Sequence, residues 1–575
     1  MQDIIILKIK VIKCEIINQY KIFTVHHKNI IVAILNSLYL NTKQTNYIMK
    51  KALSLIIAIV LTSCSSVKNH NVHLNDLIPI EDLKSDVDVT YQKMKDLHPK
   101  LYWYISEKDL SFKFDSLKTS ITKPITSFEF YKKLAPVVGT VGQGHMIVLP
   151  KVKKYEKSQM AAIKKKGVGP LSQFDFELFD NKMYVVKNKS YDKSIKVGSE
   201  VVEVNGKKTQ DYLKEYNKLF TSDGYNTTFK KNRLPRWFGR FFTQENGIKD
   251  TINYTFKFKD STKIVPIYRK VVDTAGTGKP KVLSKSEKEI AKVKAKALKI
   301  KNDVEGYDKE TKEYRRNLRF IEKDSTIAII KIRGFSEGDY ETFYEESFKK
   351  IQDYKSKTLV IDLRFNGGGR LAEINNLYSY LSEKEYIFLQ DSPIASKTSL
   401  FNMDYFKGPV YWLPLKVAVS PIVYGFAYFK VHKKDDGSFY GSMLTKPKKI
   451  KETAFKGKIY VLINGGSFSA SSIISSNLQG SKRATFVGEE TGGTFNGTVA
   501  GQMPSQKLPN SEMNLKLGLI GCIPFYKTEK EGRGIFPDKE ILPTLQDRID
   551  GIDPEMNWIL DDLKKTESNS VSSNK

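Results

Sequence analysis

Residues 458–480 read KIYVLINGGSFSASSIISSNLQG, an apolar run followed by a glycine turn and a serine-rich segment. The apolar run has the length and the β-branched composition of a buried strand. The serine-rich segment predicts a helix that ends at Gly480, because glycine is common at helix C-termini. The serines therefore lie at a strand-to-helix turn, at the N-terminus of the predicted helix.

Local sequence leaves two interpretations of the serine cluster open. A serine at a helix N-terminus commonly caps the helix through a side-chain hydrogen bond. It can also act as a nucleophile, because the helix dipole and free N–H groups stabilise an oxyanion. The α/β-hydrolase elbow has glycine two residues on either side of its serine, whereas Ser469 has Ser467 and Ser471. The motif by itself favours the cap.

Strand and helix patterns alternate around this segment. STIAIIKIRGF, TLVIDLRFNGGG and ATFVGEE read as strands, and helix-like stretches separate them. This order predicts an α/β fold with βαβ units around a buried, partly parallel sheet. The turns RFNGGG and NGGSFSASS both follow strands, so we expect them at the same rim of the sheet. An aromatic-rich insertion at about 389–455 interrupts the alternation. It suits a lid, a membrane-surface contact or extra core, and we favour extra core or a lid.

The remaining segments differ in character from one another. Residues 75–140 space apolar residues at three and four and predict helices, whereas residues 172–272 contain short β-rich runs. The lysine-heavy stretch 275–316 has little apolar face and predicts an exposed helix or linker. At 575 residues the chain is too long for one ordinary domain.

Composition limits the range of functions. The net charge is +30, but the lysines are spread along the chain without zinc-finger spacing or an RNP-type motif, so we expect no nucleic-acid binding. Such charge suits a surface facing anionic lipid, polysaccharide or acidic protein. Three cysteines give neither a disulfide framework nor a metal cluster, and we predict no metal or cofactor. Cys522 reads as a small buried hydrophobe.

The N-terminal region predicts export. Residues 49–64 read MKKALSLIIAIVLTSC, a charged start, a short apolar run and a cysteine, which is typical of a signal peptide. The ending LTSC resembles the lipobox of bacterial lipoproteins and implies a lipid on Cys64. We therefore expect anchoring to the bacterial cell envelope, at the periplasmic side of the outer membrane. Residues 1–48 would form an unusual extension in front of a signal peptide, so we expect translation to start at Met49.

Four blocks resemble one family of serine peptidases. DLRFNGGG, YVLINGGSFSASSI, FVGEETGG and EGRGIFPDKEI occur in the order found in the C-terminal processing (tail-specific) peptidases. In addition, VGSEVVEVNGKKTQDYL resembles the PDZ domain often inserted in that family. The resemblance implies a multidomain α/β protein with a ClpP/crotonase-like catalytic core. Its implied parts are a tether and N-terminal helical domain (65–150), a PDZ-like domain (168–272), a linker or helix (273–316), the catalytic domain (317–548) and a C-terminal helix and tail (549–575).

The resemblance assigns roles to the serine turn. It implies Ser469 as the nucleophile, with the N–H of Ala470 and one glycine N–H of residues 367–369, best Gly368, as oxyanion donors. The family lysine is missing, because GEETGGTFNG places Thr494 or Asn496 there and the next lysine is Lys507. A serine–lysine pair needs a desolvated lysine to accept the proton, so this chain lacks that pair.

The tricorn-like and retinoid-binding-protein-like branch uses a histidine instead. His70 and His73 lie in the predicted tether, His432 lies in a polar turn and His98 lies at a helix end. His145 remains, in TVGQGHMIV, which resembles the block that carries the branch's histidine. A histidine with a pKa near neutrality is the usual base for a serine.

A carboxylate should orient that histidine. The branch's glutamate precedes a block that resembles EGRGIFPD, which implies Glu531, with Glu529 as the second choice. The branch also carries a polar residue immediately before its histidine. Gly144 stands there, so Gln143 or a backbone group would have to replace that contact.

The predicted function is that of a serine endopeptidase that cleaves polypeptides through an acyl-enzyme. A PDZ-like domain would favour substrates with free C-terminal tails. The main alternative is a catalytically inactive peptidase-fold lipoprotein that binds peptides or hydrophobic ligands, and an esterase or a cell-wall enzyme is a further one.

Overall fold

A computed structural model describes residues 67–271, 284–321 and 326–572. The chain divides into two compact units, 1–70 and 71–575, and all that follows concerns the second. Cys64 and the signal-like segment lie outside the described residues, so lipidation and export stay predictions.

The described ranges contain fourteen α-helices and twenty-four strands, some only two residues long. The helices are α1 Val67–Val72, α2 Ile80–Leu97, α3 Glu107–Thr119, α4 Ser127–Gly139, α5 Lys157–Lys165, α6 Thr209–Tyr216, α7 Thr228–Asn246, α8 Lys285–Val304, α9 Tyr340–Asp353, α10 Leu371–Leu381, α11 Leu413–Phe429, α12 Ala470–Gly480, α13 Leu545–Asp550 and α14 Pro554–Ser572. The strands are β1 Leu77–Ile78, β2 Ile125–Thr126, β3 Ile147–Leu149, β4 Phe174–Phe179, β5 Lys182–Asn188, β6 Glu200–Val204, β7 Lys207–Lys208, β8 Thr251–Phe258, β9 Ser261–Tyr268, β10 Tyr307–Asp308, β11 Glu313–Tyr314, β12 Arg316–Ile321, β13 Ile327–Ile332, β14 Thr358–Asp362, β15 Ser392–Ile394, β16 Val431–Lys433, β17 Phe439–Gly441, β18 Lys458–Ile463, β19 Thr485–Gly488, β20 Thr498–Gly501, β21 Ser505–Lys507, β22 Asn514–Lys516, β23 Ile520–Cys522 and β24 Lys539–Glu540.

The central sheet has the order β12-β13-β14-β18-β19-β24. All neighbouring pairs are parallel except β12 with β13. One face packs on α9, α10 and α12, and the other packs on α14 through Ile559 and Met556. Burial on both faces explains why these strands read as continuous apolar runs. The mixed α/β class predicted from the alternation is confirmed.

The two glycine turns lie at one edge of this sheet. Strands β14 and β18 are parallel neighbours, with Asp362 opposite Leu462. Their carboxyl ends therefore coincide, and the turns 363–369 and 464–469 follow directly. Helix α12 then runs to Gly480, as the sequence predicts.

Residues far upstream reach the same edge through a small second sheet. Strand β3 pairs antiparallel with β22, with Ile147 opposite Lys516. Asp86 on α2 reinforces this junction, because its carboxylate accepts the Ser511 N–H at 2.7 Å. The turn before β3, which contains His145, is thus held against the segment that contains β22.

Residues 172–272 contain more helix than the sequence reading indicated. An antiparallel sheet follows the path β4-β5-β6-β8-β9, but α6 and α7 pack beside it. Helix α7 buries Phe238, Phe241 and Phe242 at helical spacing. Pro235 and Gly239 lie inside it and obscure the helical pattern, since both disfavour helix interiors.

The insertion forms strands, one exposed helix and a part of the buried core, to which Ile394, Leu400 and Val431 belong. Strands β15, β16 and β17 extend a five-stranded sheet, β16-β17-β15-β23-β20. Within α11, Ala427 is the one side chain that is buried, so the prediction of added core is wrong for this helix. Within the described ranges, no helix is long and apolar enough to cross a membrane.

Candidate active site

Ser469 lies in a strained turn directly before α12. Its backbone has φ 58° and ψ −119°, a conformation that costs a non-glycine residue about 1–3 kcal/mol. Its side chain makes no capping hydrogen bond, so capping does not explain the residue. The hydroxyls of Ser467 and Ser471 donate to the carbonyls of Leu363 and Asn366, at 2.8 and 2.9 Å. Of these three serines, Ser469 is the one whose hydroxyl faces another reactive group.

That group is the imidazole of His145. Its Nε2 lies 3.0 Å from Ser469 Oγ, although 324 positions separate the two residues. The imidazole stacks on Phe468 with ring centroids 4.7 Å apart, and Phe468 in turn packs on Phe229 at 4.3 Å. These rings fix the plane of the imidazole and exclude water from one face of it.

Burial keeps the imidazole of His145 neutral. Desolvation, aided by the positive charge of Lys516, lowers the pKa of His145 to about 4. An imidazole that is neutral at pH 7 can accept a proton from a serine hydroxyl. His98 lies at the C-terminal cap of α2. Burial lowers its pKa too, to about 3.

A threonine hydroxyl occupies the other ring nitrogen of His145. Thr498 Oγ1 lies 3.0 Å from Nδ1. Behind it lies the buried carboxyl of Asp223, whose Oδ1 accepts the Gly144 N–H at 2.7 Å. Burial raises the pKa of Asp223 to about 7, against the lowering effects of Gly144 and Thr498. Asp223 Oδ2 has no hydrogen-bond partner in the described part of the chain.

Glu531, the expected orienting residue, lies elsewhere. It is exposed, and its Oε2 accepts a hydrogen bond from Asn496 Nδ2 at 2.7 Å. Glu529 is also exposed and contributes its backbone carbonyl to the Glu531 N–H. Within the described residues neither carboxylate bonds to His145.

The loop that carries Asp223 explains this displacement. Gly224 N–H donates to Gly142 O, and Tyr225 N–H donates to Gly532 O, both at 2.8 Å. The loop therefore lies between the turn of His145 and the turn of Glu531. Asp223 is the carboxyl that contacts the turn of His145, through the Gly144 N–H.

Gly144 permits this arrangement because it has no side chain. A Cβ at this position would come 2.7 Å from Phe468 Cζ and 3.1 Å from Asp223 Oδ1. The polar residue of the related branch does not fit here, and the backbone N–H of Gly144 makes the contact instead. Gln143 is no substitute, since its Nε2 is buried without a hydrogen-bond partner among the described residues.

The two expected oxyanion donors differ in availability. Ala470 N–H begins α12 and donates to no group within the described residues. Gly368 N–H donates to Asn366 Oδ1 at 2.9 Å and is therefore already engaged. Gly368 has a second role, because it has φ 98° and a Cβ there would come 2.6 Å from Ser469 Cβ. Only glycine allows the two turns to approach so closely.

The residues at and after the position of the family lysine have other roles. Thr494 donates to Gly497 O, and Asn496 binds Glu531. Lys507 is exposed and pairs with Glu512 at 2.7 Å. No lysine hydrogen-bonds Ser469 within the described residues. Cys522 is buried, and burial raises the pKa of its thiol to about 11, which leaves it unreactive.

Part of the chain matches a known protein family. Residues 326–541 match the family model described as peptidase family S41. The chain carries a peptidase family S41 domain. This match confirms the resemblance to the C-terminal processing peptidases. Ser469 and Thr498 lie inside the S41 segment, whereas His145 and Asp223 lie upstream of it.

Two kinds of relative extend the comparison. The tail-specific protease of Haemophilus influenzae is 27% identical over 173 residues, which are 30% of this chain and 18% of that protein. The chain thus matches less than a fifth of that curated relative. Mature CPAF complexed with lactacystin has a TM-score of 0.55 at 16% identity, covering 86% of this chain and 99% of CPAF. A point variant of CPAF has a TM-score of 0.54 at 17% identity, covering 82% and 94%. The shared fold therefore extends well beyond the segment 326–541.

The titration of Asp223 predicts how stability depends on pH. Its folded pKa, about 7, exceeds the unfolded value of about 3.9. The protonated carboxyl therefore stabilises the fold fully below pH ~4, and this contribution is lost as the pH rises through about 7. We expect Asp223→Asn to gain about 2–4 kcal/mol relative to wild type between pH 5 and pH 8, measured by urea unfolding. Asp260→Asn, an exposed control, should show no such trend, and a pH-independent difference for Asp223→Asn would contradict the assignment.

Proposed function

We propose that this chain is a serine endopeptidase that cleaves peptide bonds through an acyl-enzyme. The observation that carries the proposal is the 3.0 Å contact between Ser469 Oγ and His145 Nε2, at a strained turn before a helix. The S41 domain and its resemblance to a tail-specific protease support the same reaction class.

The first half of the reaction forms the acyl-enzyme. His145 Nε2 takes the proton of Ser469 while Oγ attacks the carbonyl carbon of the scissile bond. The oxygen of the tetrahedral intermediate accepts hydrogen bonds from the Ala470 N–H and from one N–H of the turn 367–369. The dipole of α12 adds positive potential at this point. The C–N bond then breaks, and the imidazolium gives its proton to the leaving amine.

The second half releases the acyl group. The departed amine leaves space for a water molecule beside His145. The imidazole takes a proton from this water while the water oxygen attacks the ester carbonyl carbon. The intermediate collapses, the bond to Oγ breaks, and the imidazolium returns a proton to Ser469. No cofactor is required, since every proton that His145 accepts it also returns.

Thr498 and Asp223 orient the base in this proposal. If Nδ1 carries the proton and donates it to Thr498 Oγ1, then Nε2 presents its lone pair to Ser469. A neighbouring carboxylate stabilises the imidazolium that forms in the transition state. This role passes from Glu531, the residue expected from the sequence, to a threonine and a buried aspartate.

Arg233 supports a preference for substrates with a free carboxylate. Its Nη2 donates to Gly466 O at 3.1 Å. A Cβ on Gly367 would come 2.6 Å from this Nη2 atom. The guanidinium therefore lies beside both glycine turns. Burial and the nearby Arg236 lower its pKa to about 10, so it is charged at pH 7. Within the described residues it has no carboxylate partner, and we propose that the C-terminal carboxylate of a polypeptide provides one.

The finer architecture and the location belong to the same proposal. We propose that residues 168–272 form the PDZ-like domain and residues 317–548 the ClpP/crotonase-like core. The antiparallel sheet with two helices supports the first, and the parallel sheet with α12 supports the second. The lipobox-like ending at Cys64 supports anchoring at the periplasmic side of the outer membrane.

Loss of the nucleophile should abolish activity. We expect Ser469→Ala to lower turnover of an unfolded polypeptide about a millionfold and to remove labelling by a fluorophosphonate probe. Ser261→Ala changes an exposed hydroxyl on β9 and should leave both unchanged. A wild-type chain that folds but neither reacts with the probe nor cleaves polypeptide would instead be the inactive, peptide-binding lipoprotein.

Removal of the Thr498 hydroxyl should impair the base more than removal of the Glu531 charge. We expect Thr498→Val to lower kcat by about 10²–10⁴-fold, because Nδ1–H loses its acceptor and the tautomer is no longer fixed. Thr498→Ser keeps the hydroxyl and should retain activity, and Glu531→Gln should cost less than Thr498→Val. If Glu531→Gln is the more damaging variant in steady-state kinetics, the assignment of Thr498 is wrong.

Neutralising Arg233 should remove selection for a free C-terminus. We expect Arg233→Gln to raise KM about tenfold or more for peptides with a free carboxylate and to leave amidated peptides unaffected, since a charge-assisted pair is lost. Arg240→Gln, on the exposed side of the same helix, is the matched control. An equal effect on both peptide classes would contradict a carboxylate site at Arg233.

A further inference from the structure

Helix α11, Leu413–Phe429, is apolar around most of its circumference and yet lies at the surface. Lys416 is its one charged residue. Large side chains on several sides are exposed, among them Ile422 at 71%, Phe426 at 64% and Phe429 at 76%. A helix that is apolar all round is ordinarily buried in protein or in lipid. Exposed apolar patches of this kind mark interaction surfaces.

The helix is held in place along one side. Tyr424 packs against Phe401 and Tyr405, with ring centroids 5.2 and 5.8 Å apart. Strand β16 follows directly and joins the helix to the five-stranded sheet. The exposed side is therefore presented by a fixed scaffold rather than by a loose loop.

Charge around the helix indicates what it contacts. Residues 401–436 contain five lysines and three aspartates, and two of these aspartates, Asp435 and Asp436, lie in the turn after β16. Asp404 is already paired with Lys407 at 2.6 Å. Lys430 Nζ lies 5.1 Å above the Phe426 ring, so a cation borders the apolar surface directly. Apolar surface bordered by lysines complements an anionic lipid surface, in which rings enter the interface and ammonium groups meet headgroups.

Aromatic residues mark both ends of the helix. Tyr411 and Trp412 precede it, and Tyr428 and Phe429 end it. Aromatic side chains are enriched at the boundary between water and hydrocarbon. At 17 residues the helix would span about 25 Å, less than the roughly 30 Å of a bilayer core. It fits an orientation in the plane of the membrane surface.

We propose that α11 docks this protein on an anionic lipid surface. A second copy of the chain is a poorer occupant, because each copy carries a net charge of +30 and the lysines near α11 would repel one another. The inference is independent of the peptidase proposal. It adds a contact made by the folded domain to whatever attachment Cys64 provides.

The experiment uses the full chain carrying Cys64→Ser, so that no lipid can be attached. Binding is measured by co-sedimentation with vesicles of phosphatidylglycerol and phosphatidylcholine, and with vesicles of phosphatidylcholine alone. We expect at least about tenfold tighter binding to the anionic vesicles, since each lysine near such a surface adds about 1 kcal/mol. Trp412→Phe should remove a change in tryptophan fluorescence that accompanies binding.

Two double variants separate docking by α11 from bulk attraction. Ile422→Glu with Phe426→Glu changes α11, and Ile264→Glu with Tyr268→Glu changes β9, where the side chains are 72% and 65% exposed. Both pairs alter net charge equally and replace equally exposed apolar groups. We expect the first pair to lose vesicle binding about tenfold or more and the second to bind as wild type, with thermal unfolding midpoints that show both fold.

Three results would overturn the proposal. Wild type could fail to bind anionic vesicles, or both double variants could lose binding to the same extent, which would indicate bulk charge alone. The α11 pair could also convert a dimer to a monomer without affecting vesicle binding, which would identify a second copy as the occupant. Sedimentation velocity on the same samples measures this last outcome.

Discussion

The close approach of two glycine turns is the constraint on which the rest of the site depends. Parallel pairing of β14 with β18 brings the carboxyl ends of both strands to one edge. Gly368 then lies against Ser469 so closely that a Cβ would come 2.6 Å from the serine Cβ. At this contact Ser469 has a φ of 58°. A few kcal/mol of local strain are tolerated because a sheet buried on both faces holds the two strands in register.

His145, the base of the proposed mechanism, reaches this edge by a different route. His145 belongs to a segment hundreds of residues upstream, and the pairing of β3 with β22 carries it to Ser469. The loop of Asp223 completes the arrangement, since its backbone joins the turn of His145 to the turn of Gly532. Three segments that are remote in sequence therefore meet around one imidazole. Such contacts fix geometry within a hydrogen-bond length, which a loop on its own does not achieve.

Sequence alone could identify the residues whose roles rest on local pattern. The local pattern of strand, turn and helix places Ser469 at a turn but favours a cap, and the resemblance of its block to a peptidase family implies the nucleophile. His145 follows from elimination and a similar block. Thr498 and Asp223 could not be found this way, because each acquires its role only through a tertiary contact. Gly144 illustrates the difference: the sequence suggested a missing polar contact, whereas the structure replaces it with a backbone N–H to Asp223. The same limit applies to Glu531. Its sequence block occurs in the order found in the family, but its carboxylate accepts a hydrogen bond from Asn496.

Electrostatics then decides when the imidazole can act. Burial holds His145 neutral, but a pKa of about 4 also makes it a weak base unless negative charge stabilises the imidazolium. Asp223 is the buried carboxyl that lies behind Thr498, and its own pKa is raised to about 7. In the proposed mechanism an ionised Asp223 would stabilise the imidazolium through its negative charge, and a protonated Asp223 would not. On this proposal, turnover rises as Asp223 ionises, and burial, which raises the pKa of this carboxyl to about 7, sets the pH at which that happens.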